Sequence, residues 1–313
     1  MRESVARFLG SLEQERNFSA NTVSAYRNDL NQFVAYLNDE LRVAGWAEVN
    51  EDTLRRYQAD LLERRYKDST KARKTAAIKS FCGYMVTQGE LRGDPTSGLV
   101  SPRVEKYVPK AMTEAQARAL LQAPGGKSGP EGARDRAMLH ALYATGMRVS
   151  ELVSLNVDDV DLAEGVVCCT GKQERRRTVP LGAAATEALR AYLFGPRGAI
   201  ARGFDDTALF LNHRGRRLTR QGFWLILKEY AEVADMRDIT PHTLRHSFAT
   251  HAITHGSDLG DVQRILGHVS IATTQVYQRI ATEMREQERV ADPGNNVSPN
   301  AHEPELAQAN SER

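Results

Sequence analysis

The sequence predicts a mainly α-helical protein of two domains, with a small antiparallel β-sheet in the second domain. Three observations support this fold class. Apolar residues recur at helical spacing through most of the chain, two short apolar runs flank one charged turn, and the helical pattern breaks over residues 91–110. A chain of 313 residues is long enough for two domains that each bury a core.

Residues 1–90 predict a bundle of four helices. The apolar side chains of each helix fall three or four residues apart. The four groups are Val5, Phe8, Leu9 and Leu12; Val23, Tyr26, Leu30, Phe33 and Leu37; Leu54, Tyr57 and Leu61; and Ile78, Phe81 and Met85. Ser19 precedes the second group and is a typical helix N-cap.

Residues 91–110 predict a linker, because glycine, proline and serine interrupt the helical spacing. The second domain spans residues 111–290 and opens with helices near 113–122 and 133–144. Two apolar runs, 166–170 and 177–181, then predict a β-hairpin with a charged tip, and the chain beyond is mostly helical. Residues 291–313 are polar and aperiodic, which predicts a disordered tail.

Composition excludes several classes of protein. No apolar run approaches the roughly 18 residues of a membrane span, and the first residues lack the apolar core of a signal peptide. We therefore expect a cytoplasmic protein with no membrane partner. The three cysteines show neither metal-ligand spacing nor a disulfide framework. The net charge of +2 does not by itself indicate a nucleic-acid partner.

The distribution of charge is more informative than the sum. Eight basic residues lie close together in the first domain and are candidates for contacting DNA phosphates: Arg55, Arg56, Arg64, Arg65, Lys71, Arg73, Lys74 and Lys79. A solvated helix face explains the same pattern when no other signal for phosphate is present.

The stretch Pro-His-Thr-Leu-Arg-His, residues 241–246, is the first candidate for chemistry. Thr240 is a helix cap and Pro241 fits the first helical turn. His242 and Arg245 lie three residues apart and so share one face of this helix, whereas Leu244 belongs to the opposite side. Alone, the stretch is more typical of a capped surface helix with a solvated arginine and histidine than of a functional site.

Five further residues complete a set. Arg148 lies two residues after a glycine at a helix break and three residues before Glu151. Lys172 lies at the hairpin tip, His268 follows a glycine that ends a helix, and Tyr277 lies on the next helix. Each of these residues has an ordinary structural explanation when it is considered separately.

Together, these motifs resemble those of the tyrosine site-specific recombinases. That family is marked by a Thr-Gly-x-Arg-x-Ser-Glu-Leu segment, a hairpin lysine, a His-x-Leu-Arg-His helix, a Leu-Gly-His corner and a tyrosine on the following helix. All five occur here in the same order. The flanking residues 248–251 and 273–277 are most similar to the Xer branch, and the resemblance covers nearly the whole chain. It implies a SAM-like core DNA-binding domain followed by a tyrosine-recombinase catalytic domain.

The resemblance also implies the site residues. Tyr277 is the nucleophile that forms a 3′-phosphotyrosyl link. A tyrosine hydroxyl with a pKa of about 10 needs help to attack a phosphodiester, and two guanidiniums, Arg148 and Arg245, would clamp the phosphate oxygens. The histidines His242 and His268 would donate hydrogen bonds or handle the tyrosine proton.

The family further implies that Lys172 protonates the leaving 5′-hydroxyl, that Glu151 positions the site, and that His246 is a structural hydrogen-bonding partner. With so many cations, no metal, ATP or other cofactor is required. The basic helices of residues 55–79 would hold one side of double-stranded DNA and the catalytic domain the other.

The expected function is site-specific DNA recombination, of the Xer type that resolves chromosome dimers at cell division. The implied partners are a dimer-resolution site in DNA, related recombinase subunits in a homo- or hetero-tetramer, and a cell-division DNA translocase. Family members pass the terminal helix to a neighbouring subunit, a role for which residues 279–290 are available. The alternatives are a phage or mobile-element integrase, a non-cleaving DNA-binding protein on the same scaffold, and a type IB topoisomerase.

Overall fold

The computed structural model describes residues 1–14, 18–102, 111–171, 175–203, 207–267 and 272–291. The chain divides into two compact units, Met1–Tyr107 and Val108–Arg313. Two site residues expected from the sequence, Lys172 and His268, lie outside the described residues, as does the expected tail beyond residue 291. Within the described ranges no helix is both long and apolar enough to cross a lipid bilayer.

The first unit is the helical bundle that the apolar spacing predicts. Its helices are α1 (Arg2–Gln14), α2 (Ala20–Asp39), α3 (Glu51–Glu63) and α4 (Asp68–Thr87). Aromatic rings fill the centre, since Phe8, Phe33 and Phe81 are fully buried. The Ser19 side chain accepts a hydrogen bond from the Thr22 amide, which confirms the expected cap of α2.

The segment after α4 differs from a plain linker. Leu91 and Leu99 are buried against the core of the first unit, although glycine and proline lie between them. These two leucines extend the first core beyond residue 90, because their apolar side chains gain more from burial than from exposure to water.

The second unit contains nine α-helices within its described residues. They are α5 (Glu114–Gln122), α6 (Pro130–Thr145), α7 (Val149–Ser154), α8 (Gly182–Leu193), α9 (Pro196–Ala201), α10 (Arg220–Val233), α11 (Pro241–Thr254), α12 (Leu259–Leu266) and α13 (Ala272–Ala291). Residues on several faces of α6 are buried, including Met138, Leu139 and Leu142. This helix therefore runs through the centre of the core rather than along its surface.

A three-stranded antiparallel sheet lies between α7 and α8, in the order β1 (Val160–Asp161), β2 (Val166–Thr170) and β3 (Arg176–Pro180). Strands β2 and β3 form the expected hairpin, with Val167 opposite Val179 and Cys169 opposite Arg177. Strand β1 was not predicted from the sequence, because a strand of two residues is too short to show an alternating pattern.

Helices α11, α12 and α13 share a second core in this unit. Phe248, Leu266, Tyr277 and Ile280 are buried together there. On the outside, Arg285 of α13 donates a hydrogen bond of 2.8 Å to the Ile253 carbonyl. Helix α13 thus packs against helices of its own chain and carries Tyr277 into their interface.

Candidate active site

The turn between α6 and α7 aims Arg148. Helix α6 ends at Gly146, whose φ of +55° is a left-handed conformation that favours glycine. A Cβ at Gly146 would lie 2.3 Å from the Phe248 ring, so a side chain is excluded on two grounds. Arg148 then becomes the N-cap residue of α7.

Glu151 is buried and holds Arg148 in place. Its carboxylate accepts a hydrogen bond of 2.8 Å from the Arg148 amide and one of 3.0 Å from the Arg148 Nη1. A second guanidinium, that of Arg177, donates to both carboxylate oxygens at 3.1 and 2.8 Å. Burial alone would raise the pKa of Glu151, but the Arg177 and Arg148 hydrogen bonds outweigh it and hold that pKa below its usual value.

Arg245 is only 5% exposed, although His242 on the same helix face is exposed. Its Nη1 donates to the Gly146 carbonyl at 2.5 Å, and its Nη2 donates to the Leu266 carbonyl at 2.7 Å. The helix alone places Arg245 beside His242, but the neighbouring segments enclose the guanidinium. Burial, followed by the like charge of Arg148, lowers the pKa of Arg245 to about 10, so it stays charged at neutral pH.

Tyr277 is buried, and its hydroxyl lies 2.7 Å from the Nδ1 of His246. Burial, followed by electrostatic interactions with His242 and Arg245, lowers the pKa of His246 to about 4. His246 is therefore neutral at pH 7. Burial raises the pKa of Tyr277, and the charge of Arg245 opposes part of that rise.

His242 is exposed, and its ring stacks near that of His246 with the centroids 6.3 Å apart. The structure therefore brings Tyr277, His246 and Arg245 together, with Arg148 and Glu151 adjoining through Gly146. The residues just before the two undescribed positions border the same region. A Cβ at Gly171 would lie 3.5 Å from Glu151 Oε1, and one at Gly267 would lie 3.3 Å from Arg177 Nη1.

Arg177 is the residue of this site that sequence reasoning missed. In β3, Arg177 and Val179 point to the same side of the sheet, because successive side chains alternate. Val179 is buried in the core and Arg177 is half-buried. A charged residue on the inward side of a predicted strand was the available signal.

The basic residues of the first unit occupy different environments. Three arginines are exposed and pair with a carboxylate one turn earlier: Arg55 with Glu51, Arg56 with Asp52, and Arg64 with Asp60. Lys71 is mostly buried and pairs with Asp68. Arg65 is exposed at the end of α3, and Lys79 is half-buried on α4.

Lys74 departs from the expectation of a DNA contact. Its side chain is 3% exposed, and its ammonium donates to the buried Asp29 at 3.0 Å and to Gln32 at 2.5 Å. Arg73 pairs with the same Asp29 but keeps a largely exposed side chain. Lys74 therefore fastens α4 to α2 instead of facing DNA, because a buried carboxylate needs a charged partner.

As a whole, the site gathers positive charge around the Tyr277 hydroxyl. Two guanidiniums can donate forked hydrogen bonds to the oxygens of a phosphate, and a neutral imidazole can accept the hydroxyl proton. Among the described residues, no group of three or more histidine, cysteine, aspartate or glutamate side chains is arranged to hold a metal ion. The arrangement suits nucleophilic attack on a phosphodiester.

Comparisons with known families point to the same chemistry. Residues 110–284 match the Phage integrase family, and residues 5–89 match the Phage integrase N-terminal SAM-like domain. A tyrosine recombinase XerC of Herpetosiphon aurantiacus is 52% identical over 283 residues, which cover 90% of this chain and 92% of that protein. A tyrosine recombinase XerD of Pseudomonas aeruginosa is 43% identical over 279 residues, which cover 88% of this chain and 92% of that protein.

Solved structures share the fold. The XerH site-specific recombinase bound to its palindromic difH substrate, in a post-cleavage complex, aligns with a TM-score of 0.73 at 20% identity. That alignment covers 93% of this chain and 90% of XerH. A dimer of lambda integrase residues 75–356 bound to a core site aligns with a TM-score of 0.69 at 15% identity, covering 87% of this chain and 96% of that fragment.

Proposed function

The chain belongs to the phage integrase family, as a tyrosine recombinase of the Xer branch, and on this premise we propose that it resolves chromosome dimers with Tyr277 as its nucleophile. Enzymes of this family cut and rejoin DNA strands at specific sites. One observation supports this assignment of the nucleophile. The Tyr277 hydroxyl lies 2.7 Å from the Nδ1 of His246, and the charge of the nearby Arg245 guanidinium acts on it.

The proposed reaction is a phosphoryl transfer. The Tyr277 oxygen attacks the phosphorus, the bond from phosphorus to the 5′-oxygen breaks, and a 3′-phosphotyrosyl link forms. In the pentacoordinate transition state, negative charge builds up on the non-bridging oxygens, and Arg148 and Arg245 would donate hydrogen bonds to these oxygens. Arg245 is already oriented by two backbone carbonyls, so little of its freedom is lost when phosphate binds.

Protons must leave the nucleophile and reach the leaving group. His246 is neutral at pH 7 and lies within hydrogen-bond distance of Tyr277, so it is placed to accept the hydroxyl proton. We assign hydrogen bonding to the phosphate to His242 and His268, and protonation of the departing 5′-oxygen to Lys172. Attack by another strand's 5′-hydroxyl then reverses the step, and the retained bond energy makes ATP unnecessary.

Tyr277 is buried among α11, α12 and α13. Attack therefore requires α13 to move enough for the hydroxyl to reach a phosphate. We propose that DNA binding and subunit assembly drive this change, in a tetramer formed with identical or related recombinase subunits. A cell-division DNA translocase would bring two such sites together.

DNA contact by the first unit is proposed for its exposed cations. Arg55, Arg56, Arg64, Arg65 and Arg73 have exposed side chains, and Lys71 and Lys79 are partly exposed. Contacts with phosphate hold a protein on DNA without reading its sequence. Lys74 is left out of this set because its ammonium is buried.

The decisive experiment is cleavage of a nicked suicide duplex that carries a candidate dimer-resolution site. A covalent protein–DNA adduct on a denaturing gel, formed with chelator present, is the expected result. Tyr277→Phe should form none. Tyr143→Phe is the matched control, because Tyr143 also hydrogen-bonds a histidine at 2.7 Å in the same unit but lies outside the proposed site.

The outcomes separate the alternatives. An adduct that persists in Tyr277→Phe would contradict the assigned nucleophile. Retarded DNA without any adduct, even after the related subunit is added, would favour a non-cleaving DNA-binding protein. Relaxation of supercoils at high dilution, without pairing of sites, would favour a topoisomerase.

Dimer resolution is tested on a plasmid with two directly repeated copies of the site. The expected products are two smaller circles, formed only when both copies are present. Efficient recombination between two different attachment sequences, with none between identical copies, would instead support an integrase.

A further inference from the structure

Arg177 lies where three segments of the site meet, yet neither the sequence motifs nor the proposed reaction uses it. We propose that Arg177 is a positioning residue for DNA cleavage, acting through the Glu151 carboxylate on Arg148. This inference rests on the proposed function of the same site. It deepens that function by identifying what keeps the first guanidinium in place.

The contact with Glu151 is a two-pronged ion pair. Arg177 Nη1 and Nη2 donate to the two carboxylate oxygens at 3.1 and 2.8 Å, and both side chains are largely buried. Such forked pairs fix orientation as well as distance. The Glu151 side chain can then direct its remaining hydrogen-bonding capacity to Arg148 alone.

Arg148 depends on this arrangement. Its side chain is 38% exposed, and Glu151 is the hydrogen-bond partner found for its guanidinium among the described residues. An exposed arginine without a fixed partner samples many rotamers, and ordering it at the moment of phosphate binding would oppose the reaction. Holding Glu151 therefore holds Arg148.

Arg177 also reaches the segment that ends at Gly267. Its Nε donates to the Ile265 carbonyl at 2.7 Å, so each of its nitrogen atoms takes part in one of these contacts. A Cβ at Gly267 would lie 3.3 Å from Arg177 Nη1, and one at Gly171 would lie 3.6 Å from the same atom. One guanidinium thus ties α7 to the residues that precede His268 and, by close packing, to the residue that precedes Lys172.

A lysine cannot reproduce these contacts, because a single ammonium has no fixed fork. The test therefore compares Arg177→Lys with the wild-type protein in the adduct assay at saturating DNA. We expect the cleavage rate constant to fall about 10- to 100-fold, the size typical of a misplaced reacting group. The Kd for DNA should change less than about threefold, because Arg177 faces the protein rather than the phosphate.

Arg217→Lys is the matched control. Arg217 is another half-buried arginine of this unit, and it donates to the Val153 and Leu155 carbonyls at 3.1 and 2.9 Å without touching Glu151. A purely structural role for buried arginines predicts similar losses of cleavage in the two variants. The positioning role predicts a cleavage rate within about twofold of wild type for Arg217→Lys.

A double-mutant cycle with Glu151→Gln adds a readout that folding does not mimic. If Arg177 acts through Glu151, the double variant should cleave no more slowly than Glu151→Gln alone, whereas independent roles multiply their losses. Circular dichroism verifies folding at the assay temperature. If Arg177→Lys unfolds at higher temperature, the cleavage rates of the single and double variants are compared at a temperature where circular dichroism shows that all of them are folded.

Three results would overturn the proposal. The first is an Arg177→Lys rate within twofold of wild type, the second is an equal loss of cleavage in Arg217→Lys, and the third is a double variant whose loss equals the product of the single losses. Failure of the wild-type protein to form any adduct is a separate outcome, since it contradicts the proposed function itself. In that event the Glu151–Arg177 coupling measured by urea unfolding would still show whether the ion pair forms.

Discussion

The Tyr277 hydroxyl shows how single residues set the state of this site. Burial raises its pKa, and a neutral His246 holds the hydroxyl by one hydrogen bond, so the hydroxyl stays protonated at neutral pH. The nearby Arg245 keeps its charge although its pKa falls to about 10. In the proposed reaction, the guanidinium that would bind phosphate is therefore charged before the attack, whereas the attacking hydroxyl is not.

The first prediction concerns His246→Phe and the dependence of stability on pH. The folded pKa of about 4 lies below the usual value near 6.5, so the neutral ring's contribution is complete above pH 6.5 and is lost as the pH falls towards 4. Allowing for solvent at this half-buried ring, the wild-type protein should lose on the order of 1–2 kcal/mol more than His246→Phe over that range.

Urea unfolding of both proteins at pH 7.0, 5.5 and 4.5 measures the difference. His213→Phe is a suitable control, because His213 is exposed. Parallel loss of stability in the wild-type protein and His246→Phe would contradict a lowered pKa at His246.

At the scale of elements, the site depends on helix ends and on one hairpin. Gly146 ends α6, Gly267 ends α12, and each has a left-handed backbone. Strand β3 carries Arg177 across to α7 and α12. The side chains of the candidate site thus lie at the ends of helices and strands, and packing of these elements fixes the positions of their ends.

The second prediction is that Gly146→Ala strongly destabilises the protein. The φ of +55° disfavours a side chain, and the new Cβ would lie 2.3 Å from Phe248 and 2.8 Å from Leu266. The combined effect should reach roughly 2–4 kcal/mol. Gly182→Ala is the control, because Gly182 has a φ of +68° with nothing within 4 Å of the added Cβ, and its loss should be only about 1 kcal/mol. Equal losses in urea unfolding would show that close packing at Gly146 contributes nothing.

The third prediction concerns Lys74 and the attachment of α4 to α2. Lys74→Met removes one of the cations that neutralise the buried Asp29. The free energy of unfolding should fall by roughly 2–4 kcal/mol, because a buried carboxylate is then less well compensated. Adding Asp29→Asn to Lys74→Met should recover part of this loss. No recovery in thermal or urea unfolding would indicate that Lys74 stabilises the unit mainly by packing.

For the whole molecule, the net charge of +2 conceals a strong local order of charge. In the first unit, three exposed arginines each pair with a carboxylate one turn earlier, namely Arg55, Arg56 and Arg64. In the second unit, Arg148 and Arg177 both pair with Glu151, close to the buried Arg245. Replacing the carboxylate partners of the three exposed arginines by phosphate should change the free energy of unfolding little, since exposed ion pairs contribute little to stability. Phosphate contact by these arginines therefore need not disturb the core of the first unit.

The fourth prediction is a change in the salt dependence of DNA binding. Each arginine that contacts phosphate contributes about 0.9 to the slope of log K against log salt concentration. The triple variant Arg55→Gln, Arg56→Gln, Arg64→Gln should therefore reduce that slope by about 2–3, measured by fluorescence anisotropy over a range of salt. Arg27→Gln removes another exposed, ion-paired arginine of the same unit and should leave the slope nearly unchanged. A similar slope for the triple variant and the wild-type protein would show that these three arginines do not contact DNA phosphates.

The sequence by itself determined the helices, the hairpin, the family and the order of the site motifs. These features depend on apolar period, caps and turn residues, all of which act within a few positions of the chain. The Ser19, Thr113 and Thr240 caps and the β2–β3 hairpin were predictable for that reason.

Only the tertiary structure decided which charges are buried and which partners they take. Arg177 meets Ile265 across 88 positions, Tyr277 meets His246 across 31, and Lys74 meets Asp29 across 45. Such pairings depend on how whole elements pack, which local periodicity does not encode. The same packing turned Lys74 from an expected DNA contact into a core ion pair, and gave Arg177 its place at the centre of the site.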